Sequence, residues 1–162
     1  MSPLGAVDPS TGLGGPAYSA QVIRSTSASL KFYTGVLGLE RRAGWVWESA
    51  GTEGALNVPD GTVFEFSIIY SPGATSGHLL FVEYLNHVPI EPNSPPRLPN
   101  LGLGMWSFEV KNIQQILSRA RRESYPIFQD CLVYTHPILG RIESVVFIDP
   151  DDFLVEVYQL LS

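Results

Sequence analysis

A chain of 162 residues is long enough to bury one sizeable core and too short for two ordinary domains, and 44% apolar against 16% charged residues excludes a disordered protein. Ten Lys and Arg against 16 Asp and Glu leave a formal charge of -6, which speaks against nucleic acid and anionic membrane as partners, because phosphate needs clustered cations. The one cysteine, Cys131, makes neither an internal disulfide nor a zinc cluster, and no apolar run reaches the ~18 residues of a membrane span, so a cytoplasmic protein is expected.

Residues 1–16 are rich in Gly, Pro, Ser and Thr and read as a flexible arm without the basic start and apolar stretch of a signal peptide. From Ala17 a β-prone run leads to Arg24 and the N-cap residue Ser25. A helix then places Leu30, Tyr33 and Leu37 on one face and closes at Gly38. Three β-prone segments follow, about Glu40 to Glu48, Val63 to Tyr70 and His78 to Leu85. Alternation in the second puts Phe64, Phe66, Ile68 and Tyr70 on one face and Glu65 and Ser67 on the other. Residues 87–102 hold five of the 13 prolines and form a stiff connector.

The plan then repeats at an offset of 87 residues. Gly104 opens a β-prone run, Lys111 precedes the N-cap residue Asn112, and Ile113, Ile116, Leu117 and Ala120 make an apolar helix face that ends before Pro126. Strands follow at about Phe128 to Thr135, Arg141 to Ile148 and Phe153 to Leu160. Each half therefore reads βαβββ. The fold expected is α+β, a single domain over 17–162 made of two modules, 17–86 and 103–160, which share a cup-shaped mixed sheet.

Both halves close on a similar run, Leu80-Phe-Val-Glu-Tyr84 and Phe153-Leu-Val-Glu-Val157. Residues two apart share a strand face, so Glu83 goes with Phe81 and Leu85, and Glu156 with Leu154 and Tyr158. Two carboxylates converging on one apolar cup cannot both ionise cheaply, the arrangement from which acid and base pairs are made.

Three stretches carry a family resemblance: Ser29-Leu-Lys-Phe-Tyr-Thr-Gly-Val-Leu-Gly-Leu39, Gly104-Met-Trp-Ser-Phe-Glu-Val110 and Asp149-Pro-Asp-Asp-Phe-Leu-Val-Glu156. In that order and spacing they resemble the vicinal oxygen chelate superfamily of glyoxalase I, methylmalonyl-CoA epimerase, extradiol dioxygenases and bleomycin resistance proteins. The resemblance implies four metal-holding positions on the first and last strands of the modules. They fall on Tyr18, Glu83, Met105 and Glu156, with Met105 where the family writes His. A phenol and a thioether are poor ligands for hard divalent ions, so no cofactor is expected. Any metal would be weakly held, by Glu83 and Glu156.

The expected function is a metal-independent enzyme, a lyase or isomerase that moves a proton beside a carbonyl of a small, largely apolar or aromatic molecule. Glu83 and Glu156 serve as base and acid, and Tyr18 steadies the oxyanion. Met105, Ser107, Phe81, Leu154 and Tyr158 line the cup, Trp45 and Trp47 stand at its rim, and the loop residue His136 caps it, although a turn role suits His136 better. One alternative is a binding protein of the bleomycin-resistance kind that only sequesters an aromatic ligand; another is a metal-dependent glyoxalase- or dioxygenase-like enzyme. The desolvation cost of a carboxylate in an apolar cup favours the enzyme over simple sequestration. Open sheet edges and the resemblance both point to a homodimer.

Overall fold

The computed structural model describes residues 9–12, 14, 18–50, 58–74, 77–91, 93, 94, 97, 99 and 104–161. The expected flexible arm lies largely outside the described residues, as do several positions of the proline-rich connector. The chain forms two compact units, Met1–Ile90 and Glu91–Ser162, each holding one four-stranded mixed sheet.

The first module comprises β1 (Tyr18–Ile23), α1 (Thr26–Leu30) continued by a π-helical stretch (Lys31–Val36), β2 (Glu40–Glu48), β3 (Val63–Tyr70) and β4 (His78–Tyr84). Its sheet order is β1-β4-β3-β2, with β1 parallel to β4 and the other pairs antiparallel. The second module repeats this with β5 (Met105–Glu109), α2 (Ile113–Arg122), β6 (Ile127–His136), β7 (Gly140–Ile148) and β8 (Leu154–Leu160), in the order β5-β8-β7-β6. Both sheets have the βαβββ topology that the repeat implies.

The helices begin where the capping residues stand. Ser25 Oγ accepts from the Ala28 amide at 3.4 Å, and Asn112 Oδ1 accepts from the Gln115 amide at 3.0 Å. In α2 the expected Ile113, Ile116, Leu117 and Ala120 are the buried face. The first helix differs from the sequence reading. Its α-helical start buries Thr26 and Ser29 and its widened π turns bury Phe32, Tyr33 and Val36, whereas Leu30 and Leu37 are only half-buried, because a wider turn rotates the face away from a 3.6-residue period.

Each helix covers one side of its own sheet. In the first module Tyr33 packs on Phe81, ring centroids 4.8 Å apart, and Ser67, Ile69 and Leu79 are buried with it. In the second, Val145, Phe147, Val155 and Val157 are wholly buried on that side. Each such side chain contributes about 1.5–3 kcal/mol on leaving water. The opposite side of each sheet carries no helix of its own module, and there the two modules diverge in chemistry.

Candidate functional site

The site in the second module begins at a turn. Asp149 Oδ1 accepts from the amides of Asp151 at 2.9 Å and Phe153 at 2.8 Å, while Asp152 takes φ 64°, a left-handed conformation that Asp tolerates better than most residues. This turn fixes where β8 starts. It sends Val155 and Val157 toward the helix and Leu154, Glu156 and Tyr158 to the opposite face.

On that face Glu156 is clamped by hydroxyls. Ser107 Oγ on β5 donates to its Oε2 at 2.6 Å, and Ser144 Oγ on β7 donates to its Oε1 at 2.6 Å. The Tyr134 phenol on β6 lies beside the same carboxylate, and burial first, then the nearby Glu156, push it above its ordinary value. Tyr158 is also pushed up, by burial and then by the charges of Glu109 and Glu156.

The carboxylate lies in a cavity of about 410 Å³, walled by Met105, Leu154, Val146, Leu132 and Phe128. Gln129, Tyr134 and Arg97 add polar atoms to this lining, and the Arg97 guanidinium lies 5.2 Å from the centre of the Phe128 ring. A carboxylate among apolar walls, with both oxygens held in place, is a fixed charge presented to whatever enters.

Met105, Ser107, Leu154 and Glu156 thus meet on one face, which Tyr158 shares. Ser107 does more than line the cavity, since it holds one oxygen of Glu156. Glu83 does not share this setting. Its Oε2 accepts from the Thr26 amide at 2.5 Å, so it sits on the helix side of its sheet and satisfies the first turn of α1. Phe81 is on that side too, fully buried against Tyr33, and lines no cup.

The strand register explains the correction. Tyr18 pairs with His78 and Met105 with Leu154, so the counterpart of Glu156 is Leu80 and the counterpart of Glu83 is Gln159. Gln159 performs the same task as Glu83: its Oε1 accepts from the Ile113 amide at 3.0 Å. Matching the two Val-Glu runs directly therefore slips the register by three residues, an odd number that turns the side chain to the other face. The like-charge pairing expected of the two glutamates loses its basis.

Tyr18 lies on the helix-free side of the first sheet and is 55% exposed. Trp45 stacks on Phe66 at 5.2 Å and Trp47 on Phe64 at 5.7 Å, so both tryptophans belong to the aromatic surface of that side. His136 is a turn residue, its Nδ1 accepting from the amides of Ile138 and Leu139 at 3.2 Å. Cys131 is half-buried beside Gln114 and Glu143, and burial pushes its thiol up. Sequence reasoning missed Tyr134, Ser144, Phe128, Leu132 and Arg97. Ser144 and Tyr134 become visible only through the pairings Ser144 with Tyr158 and Tyr134 with Ile142, and irregularities in β6 around Gln129 break the simple alternation there.

The donor set does not fit the divalent metal of the fold family. At the four corresponding register positions stand Tyr18, Leu80, Met105 and Glu156, of which Glu156 alone is a good ligand for a hard ion, and its oxygens are already taken by hydroxyl donors. Among the described residues no three His, Cys, Asp or Glu side chains gather as a metal-holding group.

Solved structures share this architecture. A glyoxalase family protein of Bacillus cereus matches with a TM-score of 0.77 at 14% identity, over 90% of this chain and 93% of that one. The trypanothione-dependent glyoxalase I of Leishmania major matches at 0.59 and 14% identity over 90% and 86%, and a glyoxalase/bleomycin resistance protein/dioxygenase domain of Frankia at 0.57 and 14% over 93% and 94%. No protein-family model and no curated protein sequence matches the chain. The protein has the glyoxalase-like fold, built from two βαβββ modules.

Proposed function

We propose that the second module's cavity takes a small, largely apolar or aromatic carbonyl compound and that Glu156 accepts a proton from the carbon beside the carbonyl, without a metal. The observation that carries this reading is the Glu156 carboxylate held by Ser107 and Ser144, with the Tyr134 phenol beside it, within apolar walls. Two serines fix the plane of the base. As the C–H bond breaks, its electron pair passes to the carbonyl oxygen and the proton to Glu156. The Tyr134 hydroxyl, beside Glu156, then turns to the enolate oxygen. Tyr134 thus takes the oxyanion role assigned from sequence to Tyr18, because it is the phenol that meets Glu156. Returning the proton to the same or a neighbouring carbon gives isomerisation, and loss of a leaving group from the enolate gives lyase chemistry.

The test is exchange of α-protons with D₂O across a panel of α-substituted carbonyl compounds. The wild type should exchange at least one of them, and Glu156→Gln should slow that by about 10² to 10⁴. Exchange that is equally fast in Glu156→Gln refutes the role of this carboxylate. A second reading, sequestration without turnover, draws on the same clamp, since a carboxylate whose oxygens are already engaged also suits a fixed anchor. Saturable binding of an aromatic compound with no exchange decides for it.

No helix among the described residues is long and apolar enough to cross a membrane. A cytoplasmic homodimer completes the proposal. Each sheet ends in strands paired on one side only, β1 and β2 in the first and β5 and β6 in the second, which favours association. Sedimentation showing only the single-chain mass at micromolar concentration would contradict the dimer.

A further inference from the structure

We propose that the molecule taken by this cavity is a carboxylic acid whose carboxylate is gripped by Arg97. The inference rests on the reading of the cavity as a carbonyl-compound site and names its substrate class, an aryl- or alkyl-substituted oxo acid.

Three observations lead there. Arg97 lines the same cavity as Glu156, and its guanidinium lies over Phe128, which fixes the plane of the fork. The Arg97 Nε atom is buried and has no hydrogen-bond partner among the described residues. A buried N–H of a charged group left without an acceptor is costly, so an acceptor carried by a ligand would relieve that cost once the guanidinium turns toward the cavity. The Nε–H and the adjacent Nη–H form the side-on fork that matches the two oxygens of a carboxylate.

Glu156 is the other polar pole of the cavity, and its charge disfavours a second anion, but Ser107 and Ser144 already donate to it, one to each oxygen, so the hydrogen-bonding position left open in the lining is the Arg97 donor and the group that fills it is an acceptor. A chain of net charge -6 repels anions in general, which makes a local guanidinium the feature that would admit one. The apolar walls between the two poles accept the aryl or alkyl body.

Calorimetric titration with phenylpyruvate and 4-oxo-4-phenylbutanoate, each beside its methyl ester, tests the proposal. At least one acid should bind the wild type and its ester should bind about 10- to 100-fold more weakly, the range of a hydrogen bond to a charged group. Arg97→Gln should weaken the acid by the same factor and leave the ester within about 3-fold, and Arg97→Lys, which keeps the charge and loses the fork, should fall between. If Arg97→Gln does not fold, the acid and ester comparison on the wild type decides. Esters that bind as tightly as acids, an Arg97→Gln variant with unchanged affinity for the acid, or no acid binding at about 1 mM would each overturn the assignment. Failure of the two proposals is distinguishable. Acids held through Arg97 but never exchanged sink the proton transfer and leave the grip. Esters exchanged by the wild type and not by Glu156→Gln, with acids ignored, do the reverse.

Discussion

The two modules share one topology and treat the last strand oppositely. In the first, the helix-facing side of β4 carries Glu83 and the other side carries Leu80; in the second, β8 carries Gln159 and Glu156 at the corresponding places. Each module thus spends one polar side chain on capping its helix. On its last strand the second alone places a carboxylate on the side away from the helix. The first fills that side with aromatic rings, Trp45 and Trp47 on Phe66 and Phe64, and Phe64 on Tyr84 at 4.8 Å. A repeated fold therefore keeps the residues that start its helices and is free to vary the face that meets ligand.

The comparison breaks most easily at Glu156. Removing its charge with Glu156→Gln should cost about 10² to 10⁴ in proton exchange, while Tyr134→Phe, which loses one hydroxyl donor, should cost about 10² to 10³, both read by proton NMR of the substrate. Glu83→Ala should behave in the opposite way, losing about 1–3 kcal/mol in urea unfolding and leaving exchange per folded molecule unchanged. Gln159→Ala, the neutral counterpart, should lose about 0.5–1.5 kcal/mol. A Glu83→Ala variant that keeps full stability would show that the amide of Thr26 does not depend on it.

The pH dependence sharpens the same contrast. Tyr134 and Tyr158 have folded pKa values raised above the unfolded value, so the native state binds their protons more tightly. Their contribution is fully present below about pH 10 and is lost as pH rises through the raised values. Unfolding followed by circular dichroism should show stability falling above pH 10, with a smaller alkaline loss in Tyr134→Phe. A smaller effect still is expected of Asp152→Gly, which relieves a left-handed residue and should alter stability by a few tenths of a kcal/mol at most, since Gly also loosens the unfolded chain.

Much of this architecture was legible in the residues. The alternation Phe64, Phe66, Ile68, Tyr70 and the caps Ser25 and Asn112 are local signals, and local signals place strands and helices within a residue or two. Face assignments across the repeat were not legible in the same way. Val-Glu occurs in both last strands, yet the register is set by pairing with β1 and β5, which lie far off in sequence. The hydroxyl donors to Glu156 come from two strands, the phenol beside it from a third, and Arg97 from the connector, so no spacing in the chain announces them. The first helix was misplaced by a rotation for a related reason, since its π turns follow packing more than propensity.

The central claim is that the two glutamates have unlike tasks, and one paired measurement tests it most directly: α-proton exchange and urea unfolding on Glu83→Ala and Glu156→Gln side by side. The account predicts that Glu156→Gln loses exchange by about 10² or more, while Glu83→Ala lowers the unfolding midpoint and exchanges at the wild-type rate. Equal loss of exchange in both variants would contradict it, as would a Glu156→Gln enzyme that exchanges like the wild type.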